Sequence, residues 1–296
     1  MSGRLSLKQR ATHAAIRAGL TILSVIVGLS VGAAQFLQWL RLRHLRLKPR
    51  PGDIYVATAA KSGTTWMQQI VYQLVTGGRG EFEHIYQVSP FLEELISAPW
   101  AERVLDALPS PRILKTHMDW PHLKAPPDSR VIYVTRNAAD ALVSIHNHRV
   151  LNEGYRFDFD TSFFHGDKLV RHWFRHLESW WPHRNDANVL HVRYEDLVAD
   201  LEGSIRRVAR FLGIPIEEER MGDILEKCGF AYMKRHDARF DTRIGFFDAR
   251  EAGKPTFIRK GAVGDGRTEL SPELQAALDS RLAPLREKLG LGPSDV

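Results

Sequence analysis

The sequence predicts an α/β fold: one large domain built on buried parallel strands, with an extension in front of it. Three observations predict it. Ile54–Thr58 is an apolar, β-branched run broken at Ser62-Gly63 and followed by apolar residues at Met67, Ile70, Val71, Leu74 and Val75, the spacing of a helix. Three further short runs, Arg112–His117, Arg130–Thr135 and Val189–Arg193, end in polar groups and alternate with helical stretches, as strands of a parallel sheet do. At 296 residues and 44% apolar content, the chain can bury a sizeable core.

The extension, residues 1–48, is a basic tail. Nine of the 41 Lys and Arg fall in residues 1–50, which hold no acid, so the formal charge of +6 belongs to the tail. The rest of the chain is slightly acidic and predicts no nucleic-acid surface. Ala18–Leu40 carries no charge and, as a helix rising 1.5 Å per residue, would cross a bilayer core. Lys and Arg flank it, Trp39 sits at its end, and Ser24, Gly28 and Gly32 recur at small-xxx-small spacing. A membrane helix over 18–40 is the expectation. Gln35 and Gln38 leave a membrane-surface helix open, and a soluble packing helix is the third reading. Lys48-Pro49-Arg50-Pro51-Gly52 is a linker and turn, so the main domain is expected at 49–296.

Cys228 is the single cysteine. It permits no intrachain disulfide and no cysteine-based zinc cage, and no histidine spacing suggests a metal. No metal is predicted, and a reducing compartment is favoured.

Tyr55–Trp66 reads as strand, tight turn and helix start. A helix start aims unpaired N–H groups at one spot and favours negative charge there. Lys61 adds a full charge; Ser62, Thr64 and Thr65 add hydroxyls, the two threonines also as caps. The stretch therefore predicts a phosphate site, against the plainer reading of an ordinary turn. It is not a Walker A loop, because Lys61 precedes Gly63 instead of following it.

Downstream, Phe82, Ile85, Tyr86, Val88, Phe91, Leu92, Leu95, Ile96 and Trp100 are core, some of them pocket lining. Lys115 and His117 fall at a strand's carboxyl end, where ligands gather in open α/β sheets, although a lone His is more often structural. Arg136 ends the third strand, and Asn137 opens a helix that carries Ser144 two turns on. Arg offers a planar fork for phosphate, while an N-capping Asn beside a surface Arg explains the same residues. Helices are expected over Lys168–Trp181, Leu197–Leu212, Glu217–Lys227 and Ser271–Leu289. Arg235–Pro255, with Phe240, Phe246 and Phe247, has no period and suggests a substrate lid. Arg259-Lys260-Gly261 begins a basic, Gly-rich loop able to clamp a phosphate.

Five segments in order, K-S-G-T-T-W (61–66), K-T-H (115–117), V-T-R-N-A-A-D-A-L-V-S (134–144), Y-E-D-L (194–197) and R-K-G-A-V-G-D (259–265), resemble those of the cytosolic-type sulfotransferases. The resemblance covers roughly Pro51–Arg267. It implies a P-loop-like three-layer fold around a central parallel sheet. It also implies the co-substrate 3′-phosphoadenosine-5′-phosphosulfate (PAPS), without metal. Lys61, Ser62, Gly63, Thr64 and Thr65 would hold the 5′-phosphosulfate. Trp66, Tyr194 and Phe230 would meet the adenine, and Arg136, Ser144, Arg259, Lys260 and Gly261 the 3′-phosphate. His117 would be the general base, with Lys61 and Lys115 offsetting charge on the sulfuryl group and Ser144 completing the catalytic set.

The sequence departs from the family pattern at Ala60 (usually Pro), Gly266 (usually Trp) and Arg267 (usually Lys). The Gly266 change would alter closure over the nucleotide. The family's dimer segment is not evident, so oligomeric state is not read. The expected reaction moves a sulfuryl group to a hydroxyl or amine of an apolar small molecule or lipid, on a membrane-associated enzyme whose domain faces the cytosol. A Golgi-type lumenal or fully cytoplasmic location is the alternative. A nucleoside-triphosphate-dependent phosphotransferase and a membrane-tethered, non-catalytic nucleotide-binding protein are the competing functions.

Overall fold

A computed structural model describes residues 49–95, 101–123, 125–153, 167–241 and 257–296. The expected membrane helix over 18–40 lies outside them. Among the described residues, no helix is long and apolar enough to cross a membrane. Lys48–Leu95 and Asp106–Val296 form one compact unit, to which all that follows refers. Of the other unit, the described part is the start of the helix Ala101–Ala107.

Among the described residues, four strands form a wholly parallel sheet: β1 (Ile54–Thr58), β2 (Ile113–Thr116), β3 (Arg130–Thr135) and β4 (Val189–Arg193), in the spatial order β2-β1-β3-β4. Every residue of β1 and β2 is buried, which is why these segments read as unbroken apolar runs. Side chains alternate between the two faces. Ile54, Val56, Ile113, Ile132 and Val134 pack with Met67, Ile70 and Val71 of helix α1 (Thr64–Val75) in one core cluster. On the other face, Tyr133 stacks on Trp180 of α3 (Lys168–Trp180), with ring centroids 5.4 Å apart. Helices on both faces make the layers three.

Because β2 and β3 lie on opposite sides of β1, the chain leaves β1 one way and returns the other. That is a topological switch point, and the crevice opens at the carboxyl ends of the strands. Below it, at the opposite end, Arg112 and Asp53 form a fully buried ion pair 2.5 Å long, just before β2 and β1.

Several elements differ from the sequence expectation. Gly63, not a threonine, is the N-cap of α1 and makes no side-chain cap. Thr64 is drawn instead to Thr58, Oγ1 to Oγ1 at 2.5 Å. The helix expected over Leu197–Leu212 starts at Tyr194 and is two: α4 (Tyr194–Ala199) and α5 (Leu201–Leu212), parted at Asp200, whose carboxylate caps the N–H of Gly203. The one expected from Glu217 is a 3-10 turn, Glu218–Arg220, running into α6 (Met221–Cys228). Phe240, expected in a lid, is fully buried beside Ile85, Tyr86 and Met233. Phe246 and Phe247 lie outside the described residues.

Candidate active site

The three loops that leave β1, β2 and β3 converge on one cleft of about 520 Å³. From β1 come Lys61, Gly63, Thr64, Thr65 and Trp66; from β2, Lys115 and His117; from β3 and α2 (Ala138–Glu153), Arg136 and Ser144. Tyr194 follows β4, Phe230 starts α7 (Phe230–Arg235), and Arg259, Lys260 and Gly261 close the rim. Of the catalytic and nucleotide-binding residues predicted from the sequence, only Ser62 is not in the lining. It is buried under the loop, and its Oγ has no hydrogen-bond partner among the described residues.

The β1 loop is shaped by backbone conformations that few residues adopt. Lys61 has φ 65° and Gly63 φ 94°. A Cβ on Gly63 would stand 2.7 Å from the Tyr194 ring, so the turn and the ring share one space. Arg136 holds the loop from behind: one guanidinium nitrogen donates to the Lys61 carbonyl and the other to that of Ala262, both at 3.2 Å. The same guanidinium lies 4.4 Å over the Tyr194 ring. Trp66 meets Tyr194 edge to face and donates its Nε1–H to the carbonyl of Cys228 at 2.7 Å.

At the β2 end, the Nδ1–H of His117 donates to the Thr58 carbonyl at 2.7 Å. Burial, then the nearby Lys115 charge, push the imidazole well below its ordinary value, so it stands neutral. Lys115 lies between aromatic rings, its Nζ 3.0 Å from the Tyr86 hydroxyl and 4.3 Å over Phe91. Burial lowers its pKa to about 8. Glu93, in the short helix Leu92–Leu95, accepts from the His117 N–H at 2.5 Å and from the Thr116 hydroxyl at 3.1 Å. Burial raises its pKa to about 7.

On the far rim, helix α8 (Asp265–Glu269) is hooked onto α2. The Asp140 carboxylate receives the N–H groups of Gly264 and Gly266 at 2.8 and 2.7 Å. Gly266 lies so close that a Cβ would meet Ala139 at 2.3 Å. The missing family Trp therefore does not leave a gap: backbone contact fills the place. Arg259 and Lys260 pair with Asp265 and Glu269. Gly261 has φ 63°, and a Cβ there would run into the Phe230 ring.

Glu93, Asp140 and Glu269 were not singled out from the sequence. An isolated acid there reads as solvated surface, and only Asp140, in a helix's first turn, carried any local signal.

Among the described residues, six cationic side chains line the cleft (Lys61, Lys115, Arg136, Arg149, Arg259 and Lys260), and with a glycine-backed helix start and a neutral imidazole they suit an elongated anion and a proton transfer. A purine would find Trp66, Tyr194 and Phe230. The family model for the sulfotransferase domain matches residues 51–291. Mouse sulfotransferase 2B1 is 32% identical over 78% of this chain and 70% of its own. Rat sulfotransferase 1A1 is 31% identical over 79% of this chain and 84% of its own. A retinol dehydratase solved in complex with androsterone and the inactive cofactor PAP superposes with a TM-score of 0.67, at 25% identity over 84% of each chain. A mouse sulfotransferase complexed with PAP shares the fold at a TM-score of 0.63 and 24% identity, over 81% of this chain and 86% of its own. The chain belongs to the sulfotransferase domain family and is a PAPS-dependent sulfotransferase.

Proposed function

We propose that the protein moves the sulfuryl group to a hydroxyl of an apolar small molecule, with His117 as general base. One observation carries this reading: the hydrogen bond from His117 Nδ1–H to the Thr58 carbonyl, in a cleft that Lys61 and Lys115 also line. It leaves Nε2 as the basic nitrogen. His117 takes the acceptor's proton there as the acceptor oxygen bonds to sulfur. The bond from sulfur to the 5′-phosphate oxygen breaks, and Lys61 offsets the charge left on that oxygen, with Lys115 beside the sulfuryl group. Arg136, Ser144, Arg259, Lys260 and Gly261 hold the 3′-phosphate; the loop from Lys61 to Thr65 holds the other end. Trp66, Tyr194 and Phe230 take the adenine.

Tyr86 and Phe91 give the acceptor an aromatic wall beside His117, whose ring meets Phe91 edge to face at 5.1 Å. The retinol dehydratase complex holds androsterone, and by analogy the acceptor here is apolar: a steroid, lipid or phenol. The domain assignment 49–296 and a membrane attachment through 18–40 belong to the same proposal and rest on the sequence. Incubation with sulfur-labelled PAPS and a panel of hydroxyl and amine acceptors tests it, with ATP as the control donor. Label in an apolar alcohol or phenol is expected. Phosphoryl transfer from ATP, or no transfer to any acceptor, would overturn it.

A further inference from the structure

The cations assigned above to the 3′-phosphate already hold a carboxylate. Glu269 Oε1 accepts from Lys260 Nζ at 3.0 Å and from an Arg259 guanidinium nitrogen at 3.3 Å. Its other oxygen accepts from the Asn147 amide at 3.2 Å. Asn147 stands on α2, one turn beyond Ser144. The Glu269 carboxylate thus collects two charged donors and one neutral one, a set also suited to a phosphate.

Asp265 pairs with the same two cations, but the two acids are placed differently. Asp265 is 12% exposed, at the start of α8; Glu269 is 31% exposed, at its end. Meanwhile the Asp140 carboxylate, through Gly264 and Gly266, fixes the backbone between the cations and Glu269 onto α2. The side chain of Glu269 can leave while Arg259 and Lys260 stay near the cleft.

We propose that Glu269 is an internal counter-anion that competes with the nucleotide's 3′-phosphate for Arg259 and Lys260, and so sets how tightly the nucleotide is held. The inference rests on the sulfotransferase reading of this rim. Entry of the nucleotide exchanges one anion for another on the same two cations; exit reverses it. The arrangement weakens binding of every nucleotide that carries a 3′-phosphate, spent product included, and leaves one without it unaffected.

The test is equilibrium binding of adenosine 3′,5′-bisphosphate and of adenosine 5′-monophosphate to the full chain, wild type and Glu269→Gln. The glutamine keeps the shape and the Asn147 contact but loses the charge. Tightening of the bisphosphate by about three- to tenfold, the scale of a part-exposed ion pair, is expected, with the monophosphate unchanged. Glu269→Ala should act the same way, and thermal melts of both variants check that the fold is intact. Equal bisphosphate affinity in wild type and variants overturns the proposal, as does equal tightening of both nucleotides. If wild type binds the bisphosphate no better than the monophosphate, the 3′-phosphate site itself is wrong, and the proposal falls with it.

Discussion

The imidazole of His117 and the carbonyl of Thr58 are joined by a 2.7 Å hydrogen bond. A carbonyl only accepts, so the neutral ring carries its proton on Nδ1 and keeps the Nε2 lone pair. Thr58 is the last residue of β1, and its hydroxyl meets that of Thr64 at the first position of α1. One residue therefore orients the ring and anchors the start of the anion-binding helix. His117→Ala should lower kcat by about 10²- to 10⁴-fold. Affinity for adenosine 3′,5′-bisphosphate should stay nearly unchanged, because no proposed nucleotide contact is removed. Steady-state kinetics with calorimetric titration checks both; wild-type turnover in the variant would remove His117 as the base.

The pH profile of kcat/KM should be broad on the acid side and bounded on the alkaline side. His117 is held well below its ordinary value, chiefly by burial, so the base stays unprotonated where a free imidazole would already have taken up its proton. Lys115, lowered to about 8 by burial, loses its charge as pH rises through that value. Activity that needs this cation falls there. Lys115→Arg, whose guanidinium stays charged, should move the alkaline limb upward. An unmoved limb would assign it to another group.

Gly63→Ala should be disproportionately harmful for one methyl group. The backbone at φ 94° disfavours any side chain, and the new Cβ would press on the Tyr194 ring from 2.7 Å. Strain of about 1–3 kcal/mol is expected from the backbone conformation alone. Because Tyr194 also carries Trp66 and Arg136 against it, nucleotide affinity should fall together with the melting temperature. A melting temperature and affinity both equal to wild type would mean that the loop is slacker than its geometry indicates.

The parallel sheet and most of the cleft were legible in the sequence, for a physical reason. A strand that is buried on both faces and must present polar groups at its carboxyl end writes both facts into four to six consecutive residues: Ile54–Thr58 before Lys61, Ile113–Thr116 before His117, Arg130–Thr135 before Arg136. What lay across the chain was not legible. Nothing near Glu93 in sequence announces that it will clamp the backbone of His117, nor does Glu269 announce the cations it neutralises. Ser62 and Thr64 looked alike as hydroxyl donors, yet Ser62 is buried beneath the loop and Thr64 bonds back to Thr58. Gly266 looked like a lost aromatic, because the sequence does not record how closely α8 approaches Ala139.

Acid should destabilise this fold from about pH 6.5 downward, earlier than carboxylate titration alone would bring about. His84, His117, His172, His176 and His191 all have lowered pKa values, each chiefly through burial, and His191 is lowered to about 4. In the unfolded chain they titrate near 6.5. Between that value and their folded values, the unfolded state binds more protons. Stability therefore falls as pH falls through 6.5 and keeps falling towards about 4, where His191 protonates in the fold. Glu93, raised to about 7 by burial, works the other way, taking up its proton in the fold first; Glu94 is raised as well. Five histidines outweigh two acids. The melting midpoint measured from pH 7.5 to 5 should drop steadily. His176 is the most informative single site, buried against Tyr133 and Trp180. His176→Phe should flatten the slope by about one proton, because its ring has no charge to gain on unfolding. A midpoint that holds constant across that range in the wild type would show that these imidazoles are not forced to stay neutral by the fold.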